Sequence, residues 1–405
     1  MSNIACDNNA IANVKPSIII VNNNMKVGGV QKSLLDLLSE ISPIYDVTLF
    51  LFYAEGGYMD KIPQGVKVEI CSSAYRYFGM SQAESKRRFK DFFARSVLAV
   101  TAKIFGRIFA TKVISAFSGK LKKEYDVAIS FMHDAGKNNL YGGCNDFVAS
   151  KINAKKKIAF VHCDYQRCGC NFEKNNKIYD KFDCIAACSE GCRKTFLKVL
   201  PQHEQKSMTV TNCHNFKEIL RMAGEDPVIY DAGAVNVVMV ARLGEEKGID
   251  RALFALKNAT DKGADARLHI VGGGNLRSEF ETLSRELGVS DRAVFYGEQI
   301  NPYRYMKNAD LLLITSYHEA APLVIDEAIS LGVPVFSTAT TSSDDMIIDR
   351  ACGWVCENEQ EAINKAFFEV VSNVEKISEL KQKLLNKGLR NNDIALSQFK
   401  KIIEN

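Results

Sequence analysis

Nowhere does the chain string together the ~18 apolar residues that a membrane-spanning helix requires, so none is expected. Met1 to Lys15 is polar and asparagine-rich, with none of the apolar centre of a secretory leader. Charge excess is also small: 52 basic against 48 acidic residues leave a net +4, too little to imply nucleic acid as a partner. Cysteine is present twelve times but lacks regular framework spacing, and several thiols sit inside apolar runs such as Asp183 to Cys188. A reduced, cytoplasmic protein with mostly buried thiols is therefore expected. Neither Cys163, Cys168 and Cys170 nor Cys184, Cys188 and Cys192 shows the paired two-residue step of structural zinc sites. Both groups read as ordinary thiols, and no metal site is expected. Missing too is a Gly-x-Gly-x-x-Gly turn opening a helix with an acidic residue about twenty positions on, which argues against a dinucleotide-dependent oxidoreductase.

What is present is the composition of a globular protein, 46% hydrophobic and 25% charged over 405 residues, long enough for two cores. Ser17 to Val21 is a short apolar run followed by Asn22, Asn23 and Asn24, then Gly28-Gly29 and a helical pattern from Val30 to Leu38. Strand, glycine turn and helix make the opening of a βαβ unit. Further strands are expected at Tyr45 to Phe52, Val66 to Cys71, Val127 to Phe131, Lys157 to His162 and Cys184 to Ser189. A polar stretch from Met222 to Gly233 is the candidate linker. Beyond it strands are expected at Val235 to Val240, Arg267 to Val271, Ala293 to Tyr296, Leu311 to Thr315 and Pro334 to Phe336, with helices between most of them. The expected class is α/β: two Rossmann-like, doubly wound parallel-sheet domains facing a central cleft. The domains are placed at residues 1–220 and 221–385, with a last helix at about 386–405 packing back on the first.

One segment fits no tidy core. From Lys86 to Lys123 eleven basic residues stand against Asp91 alone, interleaved with phenylalanine, isoleucine and valine. On one helix Leu98, Phe105, Ile108 and Phe109 would share a side, giving a basic amphipathic helix suited to peripheral contact with an anionic membrane. A helix packed on its own domain, with its lysines in water, is the plainer alternative.

Three patterns carry chemistry. Gly28 and Gly29 follow a strand and open a helix, so amides there can approach an oxyanion, although turns use glycine widely; Gly273 and Gly274, in the Gly272 to Gly274 turn, share that ambiguity. Arg242 leaves a strand and Lys247 stands five positions on, near a helix start, so both cations can converge on a diphosphate or simply face water. Glu319 and Glu327 lie eight apart around Ala320-Ala321-Pro322-Leu323-Val324, directly after an apolar strand. Pro322 suits a helix start, where free amides can hold phosphate. Glu319 would then reach hydroxyls of a donor sugar and Glu327 those of a ribose.

Together these features resemble the family 4 retaining glycosyltransferases of the GT-B fold. The resemblance is strong over about residues 235–360, where Phe295-Tyr296-Gly297, Asn308-Ala309-Asp310 and Gly332-Val333-Pro334-Val335 add to it. In the first half, Gly28-Gly29-Val30-Gln31 is similar to the family's glycine loop, and Val161 to Tyr165 to its strand ending in an active-site histidine, here His162. The resemblance implies transfer of a sugar from a nucleotide-sugar, a UDP-sugar by preference, to a glycan or lipid-linked acceptor of capsule, exopolysaccharide or lipopolysaccharide assembly. It places the enzyme in the cytoplasm or at the inner face of the plasma membrane. It implies that Arg242 and Lys247 stabilise the departing diphosphate, that no protein nucleophile acts, and that neither metal nor cofactor is required. Asp344-Asp345 is not the aspartate-x-aspartate arrangement that binds manganese and reads as structural. Ala320-Ala321 departs from the glycine-aromatic pair usual after the first glutamate, which leaves the donor sugar open. Other expectations on the same architecture are a nucleotide-sugar epimerase or hydrolase, or a non-catalytic nucleotide-binding scaffold.

Overall fold

The computed structural model describes residues 15–134, 136–388 and 390–404; the polar opening read for the absence of a leader lies outside them but for Lys15. Among the described residues thirteen strands form two separate parallel sheets. The first contains β1 (Ser17–Asn22), β2 (Asp46–Leu51), β3 (Lys67–Ile70), β4 (Glu124–Ser130), β5 (Asn153–Val161), β6 (Cys184–Ala187) and β7 (Ser207–Thr209), in the order β3-β2-β1-β4-β5-β6-β7. The second contains β8 (Val235–Val240), β9 (Ala266–Val271), β10 (Ala293–Gly297), β11 (Leu311–Ile314), β12 (Val335–Thr338) and β13 (Gly353–Cys356), in the order β10-β9-β8-β11-β12-β13. The helices that bear on the cleft, the basic segment and the chain's return to the first domain are α1 (Gly29–Ile41), α2 (Phe89–Phe105), α3 (Arg107–Ala116), α4 (Glu190–Val199), α5 (Leu323–Ser330) and α6 (Asp393–Glu404).

The apolar runs behave as buried parallel strands should. In β1, Ile19 and Val21 point into one core layer and Ile18 and Ile20 into another, because alternate side chains leave opposite faces and helices cover both. Val237 and Val238 divide in the same way in β8. Each sheet reverses its winding once, between β1 and β4 and between β8 and β11. At such a point two neighbouring carboxyl ends part, and the loops leaving them open a crevice. The Arg242-to-Lys247 loop follows β8 and the Ser316-to-Pro322 loop follows β11, so the second switch point gathers residues 70 or so positions apart through hydrogen-bonded neighbours. Helix α6 packs its Ala395, Phe399, Ile402 and Ile403 into the first domain's core, with the Phe399 ring 6.3 Å from that of Tyr45.

The basic segment is not one helix. Gly106, at φ 86°, ends α2 and starts α3, so Leu98 and Phe105 lie on a different axis from Ile108 and Phe109. Leu98 turns inward against the core, while Phe105 and Phe109 remain exposed with rings 5.4 Å apart. Arg107 is not a surface charge either: it is fully buried, 3.1 Å from both Asp134 and Asp146, with Asn175 accepting a third contact. The apolar stripe that does face outward is Phe89, Phe93, Val97, Val100 and Ile104, at the three- and four-residue steps of one side of α2. Among the described residues no helix is long and apolar enough to cross a membrane.

Candidate functional site

Between the two sheets lies a cleft of about 640 Å³. Its first-domain wall includes the start of α1 at Gly29 and the end of β5 at His162; its second-domain wall includes Arg242, Lys247 and Glu319. Ala320, Ala321, Pro322, Leu323 and Val324 complete that wall at the start of α5. Gly28, Gly273, Gly274 and Glu327 are not among the described residues lining it. The first amides of a helix have no carbonyl behind them, and both α1 and α5 direct that end to the cleft. The partial positive charge at each favours an anion there.

Lys247 is the cation most engaged in the cleft. Its Nζ lies 2.6 Å from Glu319 Oε1, which also accepts a 2.8 Å hydrogen bond from Ser316 Oγ. Arg242 is three-quarters exposed and contacts Glu246 at 2.5 Å. Both cations are thus paired with a carboxylate, Lys247 within the cleft and Arg242 at its more exposed rim. Gly273 and Gly274 stand behind this loop: Leu243 N–H donates to the Gly273 carbonyl at 2.8 Å, and a Cβ on Gly274 would come within 2.3 Å of the Leu243 carbonyl oxygen. They let the loops after β8 and β9 pack closely.

His162 stacks on Phe160 and lies against Phe131, and its buried Nε2 has no partner among the described residues. Burial, assisted by neighbouring His133, lowers its pKa to about 3, so the ring is neutral near pH 7. A neutral imidazole with an open nitrogen can hydrogen-bond a sugar hydroxyl but has no proton charge to offer.

Glu327, on α5, is buried and meets Lys32 of α1, with Oε1 2.9 Å from Nζ; Tyr303 donates to the same oxygen at 3.2 Å. Lys32 also sits 3.3 Å from Asp36. Burial alone would lower the Lys32 pKa, but Glu327 and Asp36 outweigh it and raise it above the ordinary lysine range. This pair spans the two domains, and others join it. His214 lies 3.3 Å from Asp326, whose pKa burial would raise but His214 and Arg350 hold at about 2. Thr341 Oγ1 donates to Asp164 at 2.8 Å, and Asp345 accepts the amides of Glu190 and Gly191 at the start of α4. Lys32, His214 and Asp164 escaped the sequence reading; only the place of Lys32, one turn past Gly28, was a signal.

All eleven described cysteines are free, yet Cys163, Cys168 and Cys170 converge, with their sulfurs within 4.8 Å of one another. Linear spacing hid this, because the loop after β5 folds back on itself.

Residues 231–387 match the family model described as Glycosyl transferases group 1. Over 121 residues the chain is 36% identical to the lipopolysaccharide glucosyltransferase WaaG of Escherichia coli K12, a stretch covering 29% of this chain and 32% of that protein. Over 101 residues it is 32% identical to an uncharacterized glycosyltransferase of Methanocaldococcus jannaschii, covering 25% of each. The alignments thus span a quarter to a third of these relatives' lengths. Solved structures match across nearly the whole chain: WaaG with a TM-score of 0.60 at 16% identity, covering 96% of this chain and 98% of that one. Anabaena HepE in complex with UDP gives 0.64 at 15%, with the same coverage. The chain therefore has the GT-B fold, and its residues 231–387 are similar to the group 1 glycosyl transferases.

Proposed function

We propose that the protein is a retaining glycosyltransferase that moves a sugar from a UDP-sugar to a lipid-linked glycan. The observation that carries this reading is the meeting, in one cleft, of Lys247, Glu319 and the amino-terminal end of α5. A diphosphate set at that helix end gains its dipole and the Lys247 charge, and the exposed Arg242 can leave Glu246 to close over it. As the sugar–phosphate bond breaks, negative charge grows on the leaving oxygen, and these groups stabilise it more than they stabilise the bound donor. That oxygen takes the acceptor's proton, and the acceptor hydroxyl attacks from the same face, so the anomeric configuration is kept. Glu319 and the neutral His162 orient the donor sugar by hydrogen bonds to its hydroxyls. Glu327 is assigned to the ribose, which requires its carboxylate to be shared with Lys32.

The name of WaaG and the UDP bound to HepE support the donor class and a glycan of lipopolysaccharide type. The acceptor's lipid is supported by α2, whose outward Phe89, Phe93 and Ile104 are flanked by exposed Lys86, Arg88, Lys90 and Lys103. An apolar stripe with a cationic border matches the inner, anionic leaflet of a plasma membrane. Melting the protein with a panel of nucleoside diphosphates tests the donor site. UDP at about a hundred times its dissociation constant should add about 2.7 kcal/mol to the native state. Stabilisation by GDP alone, or by none of the panel, would overturn the donor assignment.

A further inference from the structure

Just after β5 the chain runs Cys163-Asp164-Tyr165-Gln166-Arg167-Cys168-Gly169-Cys170, and this loop closes on itself. Arg167 and Cys168 amides return to the Asp164 carbonyl at 3.1 and 2.9 Å. Gly169 takes φ 74°, a left-handed turn that sets Cys168 and Cys170 on the same side. Their sulfurs touch at 2.6 Å, and Cys163 completes a triangle whose edges do not exceed 4.8 Å. Three thiolates at about 2.3 Å from a tetrahedral zinc ion have sulfurs roughly 3.8 Å apart, a spacing this triangle reaches by turning the partly buried Cys168 side chain.

One further observation points to a ligand. The buried Nδ1 atom of His133, close enough to Cys168 to feel its charge, has no hydrogen-bond partner among the described residues. Desolvation limits the choice of ion. Three thiolates around a divalent cation leave one net negative charge, whereas a monovalent soft cation would leave two in a largely buried site. A disulfide between Cys168 and Cys170 would use two sulfurs and strand the third.

We propose that Cys163, Cys168 and Cys170 form a three-thiolate zinc(II) site in the wall of the cleft. Metal binding replaces the thiol protons, which leave as the Zn–S bonds form, and no oxidant or reductant is needed. The site clips the 163–170 loop, which begins beside His162 and carries Asp164, the acceptor of the Thr341 hydrogen bond across the cleft. It is a structural ion: the side chains that meet the diphosphate, Arg242 and Lys247, lie on the opposite wall.

The test is titration of reduced, metal-stripped full-length protein with cobalt(II). A thiolate-to-cobalt charge-transfer band in the near ultraviolet should saturate at one equivalent and vanish when zinc(II) is added. Cys168→Ser and Cys170→Ser should lose the band, and Cys188→Ser, whose thiol lies by Cys192, should keep it. Should the serine variants fail to fold, alkylation of the wild type still decides, because zinc(II) must shield Cys163, Cys168 and Cys170 but not the other reactive thiols. A band that persists in Cys168→Ser, no band at all, or alkylation unchanged by zinc(II) would overturn the proposal. So would a Cys168–Cys170 disulfide forming under mild oxidant at the same rate with and without zinc(II).

Discussion

Replacing Glu327 with alanine separates two roles for one carboxylate. Glu327 meets Lys32 at 2.9 Å and accepts from Tyr303 at 3.2 Å, and its side chain is 8% exposed. Truncating one member of a buried pair costs about 3–5 kcal/mol when the other charge is abandoned. Here Lys32 keeps Asp36 at 3.3 Å and some access to water, so a loss of about 2 kcal/mol in stability is expected. If the carboxylate also serves the ribose, nucleotide affinity falls in addition. Hydrogen bonds to a charged group are worth about 1.5–3 kcal/mol, or roughly 10- to 150-fold in dissociation constant. The only tryptophan, Trp354, stands on β13 against the second domain's core, so its fluorescence reports whether the variant is folded. UDP titration calorimetry then reads the affinity. Unchanged affinity in folded Glu327→Ala would refute the ribose role and leave Glu327 as a bridge between domains. The companion Lys32→Met frees the carboxylate and should lose stability without losing affinity.

Neutralising Arg242 or Lys247 should reduce kcat more than donor binding, by roughly tenfold or more, because their interaction grows as the diphosphate departs; equal losses would make them binding residues only. Magnesium or manganese added to the assay should leave turnover unchanged, and strict dependence on either would contradict diphosphate stabilisation by side chains and helix ends. The lowered pKa of His162 means the unfolded chain takes up a proton between pH 6.5 and about 3 that the folded one refuses. Stability should therefore fall as pH falls through that window, by up to about 1.4 kcal/mol per pH unit from this residue, and be recovered above it. Urea unfolding at pH 7.5 and 5.5 should show a smaller difference in His162→Gln than in wild type, and equal differences would place the ring in water. Flotation with anionic liposomes should carry the protein at low salt and release it at high salt. Phe89→Ser with Phe93→Ser and Ile104→Ser should weaken it without unfolding α2, and a wild type that stays behind at low salt would make α2 a packed surface helix.

The long apolar runs made the fold legible. Ile18 to Val21 and Leu311 to Ile314 admit hardly any arrangement but buried parallel strands, and the loops that leave them had to meet at the switch points. Two strands gave no such signal. Ser207–Thr209 is three residues long with no period to read, and Gly353–Cys356 opens on glycine and is only partly buried. Both are edge strands, held by pairing with β6 and β12 rather than by their own pattern. The π-turn at Asp344–Ile348 was equally silent.

The second-domain wall of the cleft was legible because its residues lie on two short loops. The first-domain contribution was harder: Lys32, Asp164 and His214 act on partners more than a hundred positions away, and nothing local marks them. In the basic segment, residue counting overlooked that a single glycine turns the helix. It also overlooked that a fully buried arginine needs carboxylates from elsewhere, here Asp134 and Asp146. For the three cysteines, spacing along the chain was a poor guide to spacing in space.

Transfer with retention from a UDP-sugar is tested most directly by product analysis with and without acceptor. Purified protein, a UDP-sugar and a lipid-linked glycan are incubated, the released UDP is counted, and the new linkage is assigned by NMR. One glycosidic bond per UDP released is expected, in the donor's own anomeric configuration, with little UDP release when acceptor is withheld. An inverted linkage, or donor hydrolysed or isomerised equally fast without acceptor, would contradict the proposed reaction.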